Sequence, residues 1–288
     1  MLMGATGIYI RKAAVPSVYL PCLDRNDADA DFCLEVAQNR DTIHEILAAD
    51  NTVGLCCIRD EEDAYLYIYI FPEYRRRGFG YGAVNAAQQQ IHTSPLLSIA
   101  TAYDSKNEIA AAFAEKCGFR KQFSSSVLYY RGGKFDIPEL PIHKLRDEEF
   151  PEAYAVSAEA FHIMRLETGH DPNSVPYEPD EQIRQSCLET ADERYVYTLD
   201  NEIVGSAHID GPEIDNVAIK ISHQGKGLGK LFVKYLVNEI LDKDIGEPFL
   251  FCLTVNRKAR HIYDALGFEE AVCNTYAVKN ITDENNFG

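Results

Sequence analysis

"ISHQGKGLGKLF", residues 221–232, sets three glycines between a short apolar run and a helical one, and "YRRRGFGYGAV", residues 74–84, repeats the arrangement. Glycine is the poorest helix former after proline, so its place at a helix start needs a reason. The first N–H groups of a helix lack intrahelical partners, and the helix dipole makes that end positive. Glycine lets the backbone turn sharply and lets a bulky anion reach those N–H groups without meeting a Cβ. The stretch therefore reads as an anion cradle, most often for phosphate. Lys226 and Lys230 add charge at its edge, as Arg75, Arg76 and Arg77 do in the earlier copy. A plain turn that packs helix closely on strand would use the same glycines. Two phosphate motifs are excluded: neither stretch has the G-K-[ST] of a Walker A loop, and Gly78-Phe79-Gly80-Tyr81-Gly82 has the wrong spacing for a dinucleotide fingerprint.

Working outward, an offset of 149 residues lays Arg75–Gly80 on Gln224–Gly229, Asn107 on Asn256, and Cys117-Gly118-Phe119 on Leu266-Gly267-Phe268. Three landmarks in one gapless register mark a duplicated domain, each copy long enough to bury its own core. The Gly- and Pro-bearing "RGGKFDIPELP", residues 131–141, is the joint, giving copies at 1–136 and 137–288. In the second copy "RYVYTLD" and "EIVGSAHID" read as a strand pair turning at Asp200-Asn201, and "IDNVAIKI" as a further strand. The helix "GLGKLFVKYLVNEILDK", the strand "FLFCLTV", the helix "RKARHIYDALGF" and a last strand "AVCNTYAVK" follow. The first copy runs in the same order. Antiparallel strands mixed with crossover helices give an α+β (mixed α/β) class: in each copy a mixed, mostly antiparallel twisted sheet flanked by helices.

The formal charge of −17 argues against a nucleic-acid partner. Residues 1–136 carry 14 basic and 17 acidic side chains, a net −3, whereas residues 137–288 carry 14 and 28, a net −14. That surplus serves solubility or draws a cationic small molecule to the second copy. No eighteen-residue apolar run marks a membrane span, and "MLMGATGIYIRK" has no secretory pattern, so a cytoplasmic chain, monomer or homodimer, is expected. Eight cysteines without a C-x-x-C read as reduced thiols that mostly fill the core, with Cys56 and Cys57 on opposite faces of a strand. The histidines, including His162, His170, His208 and His223, lack zinc spacing and read as surface or satisfied core residues; no metal is implied.

With the glycine turn, an Asn about thirty residues later and a helix ending in Gly-Phe, both copies resemble the GCN5-related N-acetyltransferases. The motif is fullest in Gln224-x-x-Gly227-x-Gly229 followed by Asn256, Ala259, Tyr263, Gly267 and Phe268. The resemblance implies two tandem acyl-CoA N-acyltransferase domains and acetyl-CoA as cosubstrate. Its pyrophosphate would lie on the backbone N–H groups of Gln224, Gly225, Lys226, Gly227, Leu228, Gly229 and Lys230, reached from Ile221. The pantetheine arm would add like a strand beside "NVAIKI", between two splayed parallel strands, and contact Asn256. A backbone N–H near Ile219, at a strand bulge, would face the thioester carbonyl. Tyr263 stands where the family keeps its thiolate-protonating tyrosine; otherwise it is a helix residue packed on the sheet. Glu213, eleven residues before Gln224, holds the base position of the histone-modifying members, with Asp215 as alternate, though acidic residues at strand starts are commonly just exposed.

The first copy departs from this pattern: Ala114 aligns with Tyr263 and Ala64 with Glu213, leaving only neighbouring Glu62 and Asp63 as substitutes. It reads as a lobe without chemistry of its own, where Arg75, Arg76, Arg77, Gly78, Phe79, Gly80 and Asn107 could still hold CoA. Double-copy members of the family, the mycothiol-synthase-like ones among them, work through the C-terminal copy. The expected activity is acetyl transfer to a primary amine of a small, possibly cationic acceptor. The segment 167–185 sits where such folds shape the acceptor pocket. The rival reading is a protein that holds acyl-CoA in both copies without turnover.

Overall fold

A computed structural model describes residues 7–24, 28–59, 64–91, 98–174 and 176–280. Glu62, Asp63 and the tail "ITDENNFG" lie outside the described residues. The chain forms two compact units, Met1–Phe123 with Asn274–Gly288, and Ser124–Cys273.

The first unit holds β1 (Ile8–Lys12), α1 (Ala30–Ala37), β2 (Ile43–Ala48), β3 (Asn51–Arg59), β4 (Ala64–Ile70), α2 (Phe79–Gln90), β5 (Ser98–Asp104) and α3 (Glu108–Lys116). The strand β6 (Arg120–Tyr130) runs on into the second unit. There follow β7 (Ile142–Lys144), α4 (Phe150–Thr168), α5 (Glu181–Glu189), β8 (Arg194–Leu199), β9 (Glu202–Asp210), β10 (Glu213–Ile219), α6 (Leu228–Lys243), β11 (Phe249–Leu253) and α7 (Arg257–Leu266). The last strand, β12 (Phe268–Asn280), begins in the second unit and ends in the first.

Strand pairing explains why the units are not the two sequence copies. In the first unit the order β1-β2-β3-β4-β5 is completed by the end of β12, with Asn274–Asn280 antiparallel to β5. In the second, β7-β8-β9-β10-β11 is completed by residues 125–129 of β6, antiparallel to β11. Each copy thus gives its final strand to the other's sheet. Duplicated sequences offer equivalent edges for a final strand to pair with, as in a domain swap. Residues 124–136, sequence members of the first copy, belong to the second unit.

The local elements follow from the sequence pattern. Asp200 and Asn201 take φ of 50° and 63° and close the β8–β9 hairpin between Leu199 and Glu202. Two consecutive positive φ values are those of a primed turn, which matches the twist of the flanking strands. On α6, Phe232, Val233, Leu236, Val237 and Ile240 form a buried stripe at the spacing of one helix face. That stripe shares a core with Ile214, Leu250, Cys252 and Leu266. On the opposite face of this sheet, Phe150, Ala153 and Val156 of α4 pack on Val196, Ile203 and Ala218. In the first unit Cys56 and Cys57 enter separate cores on opposite faces of β3, as strand alternation requires. All eight cysteines are free thiols. No helix among the described residues is long and apolar enough to cross a membrane, and none of their His, Cys, Asp or Glu form a metal-holding group of three or more.

Candidate active site

The opening stretch joins β10 to α6. Ile221–His223 make one short 3-10 turn, Gly225 takes φ 75°, and Gly227 caps α6 at φ 83° without a side-chain cap bond. Leu231 N–H donates to the Gly227 carbonyl at 3.2 Å, so the N–H groups of Leu228, Gly229 and Lys230 precede the first closed helical ring. A Cβ built on Gly225 or Gly227 would meet nothing within 4 Å. Space above the amides is therefore open, and Gln224, Lys226 and Lys230 are exposed around it. Gln224 Nε2 donates to the Ile219 carbonyl at 2.9 Å, pinning the loop to the end of β10.

The first unit builds its loop alike. Arg75, the counterpart of Gln224, donates from Nε to the Ile70 carbonyl at 2.8 Å. Gly78 caps α2 at φ 87° without a side-chain bond, and Arg76 holds φ 62° where the second unit has Gly225. The guanidinium of Arg75 lies over the Tyr69 ring, and that of Arg77 over Tyr74 and Phe79. A Cβ on Gly80 would come within 3.0 Å of the Phe113 ring, whereas one on Gly229 would only touch Ile219 and Ile262 at 3.6 Å. Asn107 and Asn256 both cap helices: their Oδ1 atoms accept from Ala110 N–H at 3.0 Å and Ala259 N–H at 3.2 Å. Their amide NH2 groups are the part left to meet a ligand.

Beyond the loop, β10 and β11 run parallel but pair only at Glu213 and Phe249. Past that point they separate, leaving a gap whose wall is β10. The β9–β10 ladder shifts register between Asp215 and Ala218, with Asn216 at φ 52°. This bulge lies just short of Ile219, which is opposite Gly205. Lys220 N–H donates to the Val204 carbonyl at 2.9 Å, so Ile219 is in a non-hydrogen-bonded pair and its own N–H turns away from β9, toward the gap side.

Side chains of different chemistry flank the gap. Ile214 points into the α6 core, so its strand neighbours Glu213 and Asp215 point to the α4 face. Tyr263 of α7 lies in the α6-side core, its ring 5.7 Å from that of Phe268. Burial pushes the Tyr263 phenol up, and the nearby Cys252 and Asp215 add to the push. Glu213 is also raised, by burial and then by Asp215 and Asp210. Asp215 thus acts electrostatically on both Glu213 and Tyr263. His208 of β9, opposite Asp215 in the ladder, places Nδ1 4.0 Å from Asp215 Oδ2 and Nε2 3.6 Å from Glu193 Oε2. Sequence reasoning set His208 aside; only the hairpin register brings it to these carboxylates.

The bulge also corrects one alignment. In the first unit Tyr65 pairs with Ala100 in the parallel strands, and β3–β4 runs without a register shift. The extra residue in β10 means that Glu213 corresponds to Tyr65, not to Ala64, whose side chain enters the α2-side core with that of Ala114. Among the described residues, the first unit therefore has Tyr65 in place of the Glu213 carboxylate, Ala114 in place of the Tyr263 phenol, and no bulge in β4. Of the segment 167–185, Glu167 accepts two bonds from Lys258 Nζ at 2.7 and 2.8 Å, tying α4 to α7, and Tyr177 packs edge-on to His162.

A mixed sheet whose central parallel pair parts beside a glycine-opened helix start is the arrangement that the resemblance to the GCN5-related N-acetyltransferases implies. The sequence model of the acetyltransferase (GNAT) family matches residues 11–119 and 150–268, and the chain belongs to that family, which in general uses acyl-CoA as cosubstrate. No curated protein matches the chain in sequence. Among solved structures, a GCN5-related N-acetyltransferase from Sphaerobacter thermophilus is 16% identical with a TM-score of 0.68, covering 97% of each chain. A tandem GNAT protein from the clavulanic acid biosynthesis pathway is 14% identical with a TM-score of 0.56, over 95% of this chain and 98% of that one. A glucosamine N-acetyltransferase region of a fungal multi-domain β-N-acetylglucosaminidase is 12% identical with a TM-score of 0.63, over 94% of this chain and 38% of that one. At these identities the likeness is one of fold.

Proposed function

We propose that the second unit transfers an acetyl group from acetyl-CoA to the primary amine of a small, cationic acceptor by direct attack. The observation that carries this reading is the β10–β11 gap, with Tyr263 on one face, Glu213 and Asp215 on the other, and the open glycine loop at its end. The amides of residues 225–230 would hold the diphosphate, and Lys226 and Lys230 would neutralise its charge. The exposed edge of β10 would take the pantetheine amides as an added strand.

Each group has a defined task in the transfer. The acceptor arrives as an ammonium ion, drawn by the carboxylates, and must lose a proton to become a nucleophile. Glu213 accepts it, directly or through water; its raised pKa brings it nearer the working range of a general base. The amine nitrogen bonds to the thioester carbon while the backbone N–H near Ile219, at the end of the bulge, stabilises the carbonyl oxygen as it gains charge. The C–S bond breaks as Tyr263 gives its proton to the departing thiolate, and the second proton shed by the nitrogen as it becomes an amide restores the phenol. The phenol is protonated at neutral pH, as a donor must be, and burial raises its pKa further. The first unit, with Tyr65 and Ala114 at the corresponding places, does no such chemistry and serves as a supporting lobe.

Free thiol release from acetyl-CoA, followed over a panel of amines with Tyr263→Phe and Glu213→Gln beside wild type, tests the reading. An acceptor-dependent rate that drops in both variants is expected. Stabilisation by acetyl-CoA without acetylation of any amine would instead leave a binding protein.

A further inference from the structure

The α4 face of the second unit carries rings beside its carboxylates. Phe249 pairs with Glu213 across the parallel strands and with Tyr129 across the antiparallel ones. The Tyr129 and Phe249 rings stack at 5.3 Å, and Phe249 meets Phe251 edge-on at 5.9 Å. The Arg131 guanidinium covers the outer end of this ladder, 5.3 Å over Tyr129. At the inner end Phe251 is 48% exposed, two residues past the point where β10 and β11 part. Strand alternation puts it on the same sheet face as Phe249 and Glu213, beside the gap and level with Asp215.

Sheet packing does not require rings there. The strand alternation that matches Tyr65 to Glu213 matches Ala100 and Ala102 of β5 to Phe249 and Phe251. In the first unit the matching face is filled instead by α1, whose Phe32 ring lies 4.7 Å from that of Tyr67. The second unit leaves its aromatic end open beside two carboxylates. An exposed ring next to anionic oxygens complements a ligand with an aromatic body and a cationic head.

We propose that the acceptor is a primary amine attached to an aromatic ring, with the ring lying on Phe251 and the ammonium group beside Asp215 and Glu213. The inference deepens the N-acetyltransferase reading and rests on it for the identity of the site. Phe251 acts as a specificity residue: it holds the acceptor body while the carboxylates hold the nitrogen.

The test titrates 2-phenylethylamine, n-butylamine and spermidine into the full chain saturated with CoA, by calorimetry, for wild type, Phe251→Ala and Phe251→Leu. Thiol release with acetyl-CoA is followed in parallel. The aromatic amine should bind about tenfold more tightly than n-butylamine, the scale of one favourable ring contact. Phe251→Ala should erase that preference, weakening 2-phenylethylamine about tenfold more than n-butylamine, and Phe251→Leu should restore part of it. Equal binding of the three amines, or a preference for spermidine untouched by Phe251→Ala, would overturn the proposal. Ring-selective binding without thiol release keeps the aromatic-amine site at Phe251 and removes the acetyl-transfer reading. Acetylation without ring preference does the reverse.

Discussion

Replacing Gly225 by alanine separates the two roles a glycine can have in this loop. Its φ of 75° lies in the left-handed region, and a Cβ there would meet nothing within 4 Å. No clash opposes the change, so its cost to folding is that of a left-handed L-residue, about 1–2 kcal/mol. The first unit already accepts such a residue, Arg76 at φ 62° in the matching position. A fall in Tm of roughly 2–6 °C follows for a chain of this size. The consequence for CoA is larger. The new methyl would stand in the open space above the amides, where the diphosphate is expected, and would displace at least one hydrogen bond to a charged oxygen. Such a bond is worth about 1.5–3 kcal/mol, a loss of roughly 10- to 150-fold in affinity. Calorimetric titration of CoA, with melting curves of both proteins, reads both effects. A variant that melts a few degrees lower yet binds CoA as tightly as wild type would refute the cradle and leave the glycines as turn residues only.

Tyr263→Phe should lower kcat about 100-fold or more and leave KM for acetyl-CoA within about twofold; an unchanged kcat would remove Tyr263 as the acid. Glu213→Gln should cost activity yet gain stability at neutral pH. The native pKa of Glu213 is raised, so its ionised form opposes folding, and stability falls as pH rises through that raised value. Melting curves of both proteins near pH 7 check the sign. Glu149 behaves oppositely. Arg146 and His143 hold its carboxyl at about 2, against an ordinary 4.5, so its stabilisation is full above about pH 4.5 and is lost as pH falls toward 2. Glu149→Gln should flatten the acid limb of the Tm–pH curve in that window. Leu236→Ala, in the middle of the α6 stripe and fully buried, should cost about 2–5 kcal/mol by denaturant titration.

Local chemistry made much of this legible from the chain alone. The Asp200-Asn201 turn, the α6 stripe, the opposed faces of Cys56 and Cys57, and the glycine loop each depend on neighbours a few residues apart, which periodicity and turn preference encode. What escaped depends on register between distant strands. One extra residue at the Asn216 bulge moved the counterpart of Glu213 from Ala64 to Tyr65, a shift invisible to a gapless alignment. The exchange of β6 and β12 between sheets reflects a choice between equivalent edges, and equivalence leaves no local signature. His208 joins the site through its ladder partner Asp215 and Phe251 through its strand neighbour Phe249, opposite Glu213, so neither spacing nor residue type could mark them.

The central claim is that backbone amides at 225–230 hold a diphosphate and aim the attached thiol into the β10–β11 gap. A crystal of the full chain grown with CoA tests this most directly. The account predicts phosphate oxygens within hydrogen-bonding distance of those amides, and the sulfur in the gap near Tyr263. A coenzyme bound solely at Arg75–Arg77 of the first unit, or with its sulfur outside the gap, would contradict it.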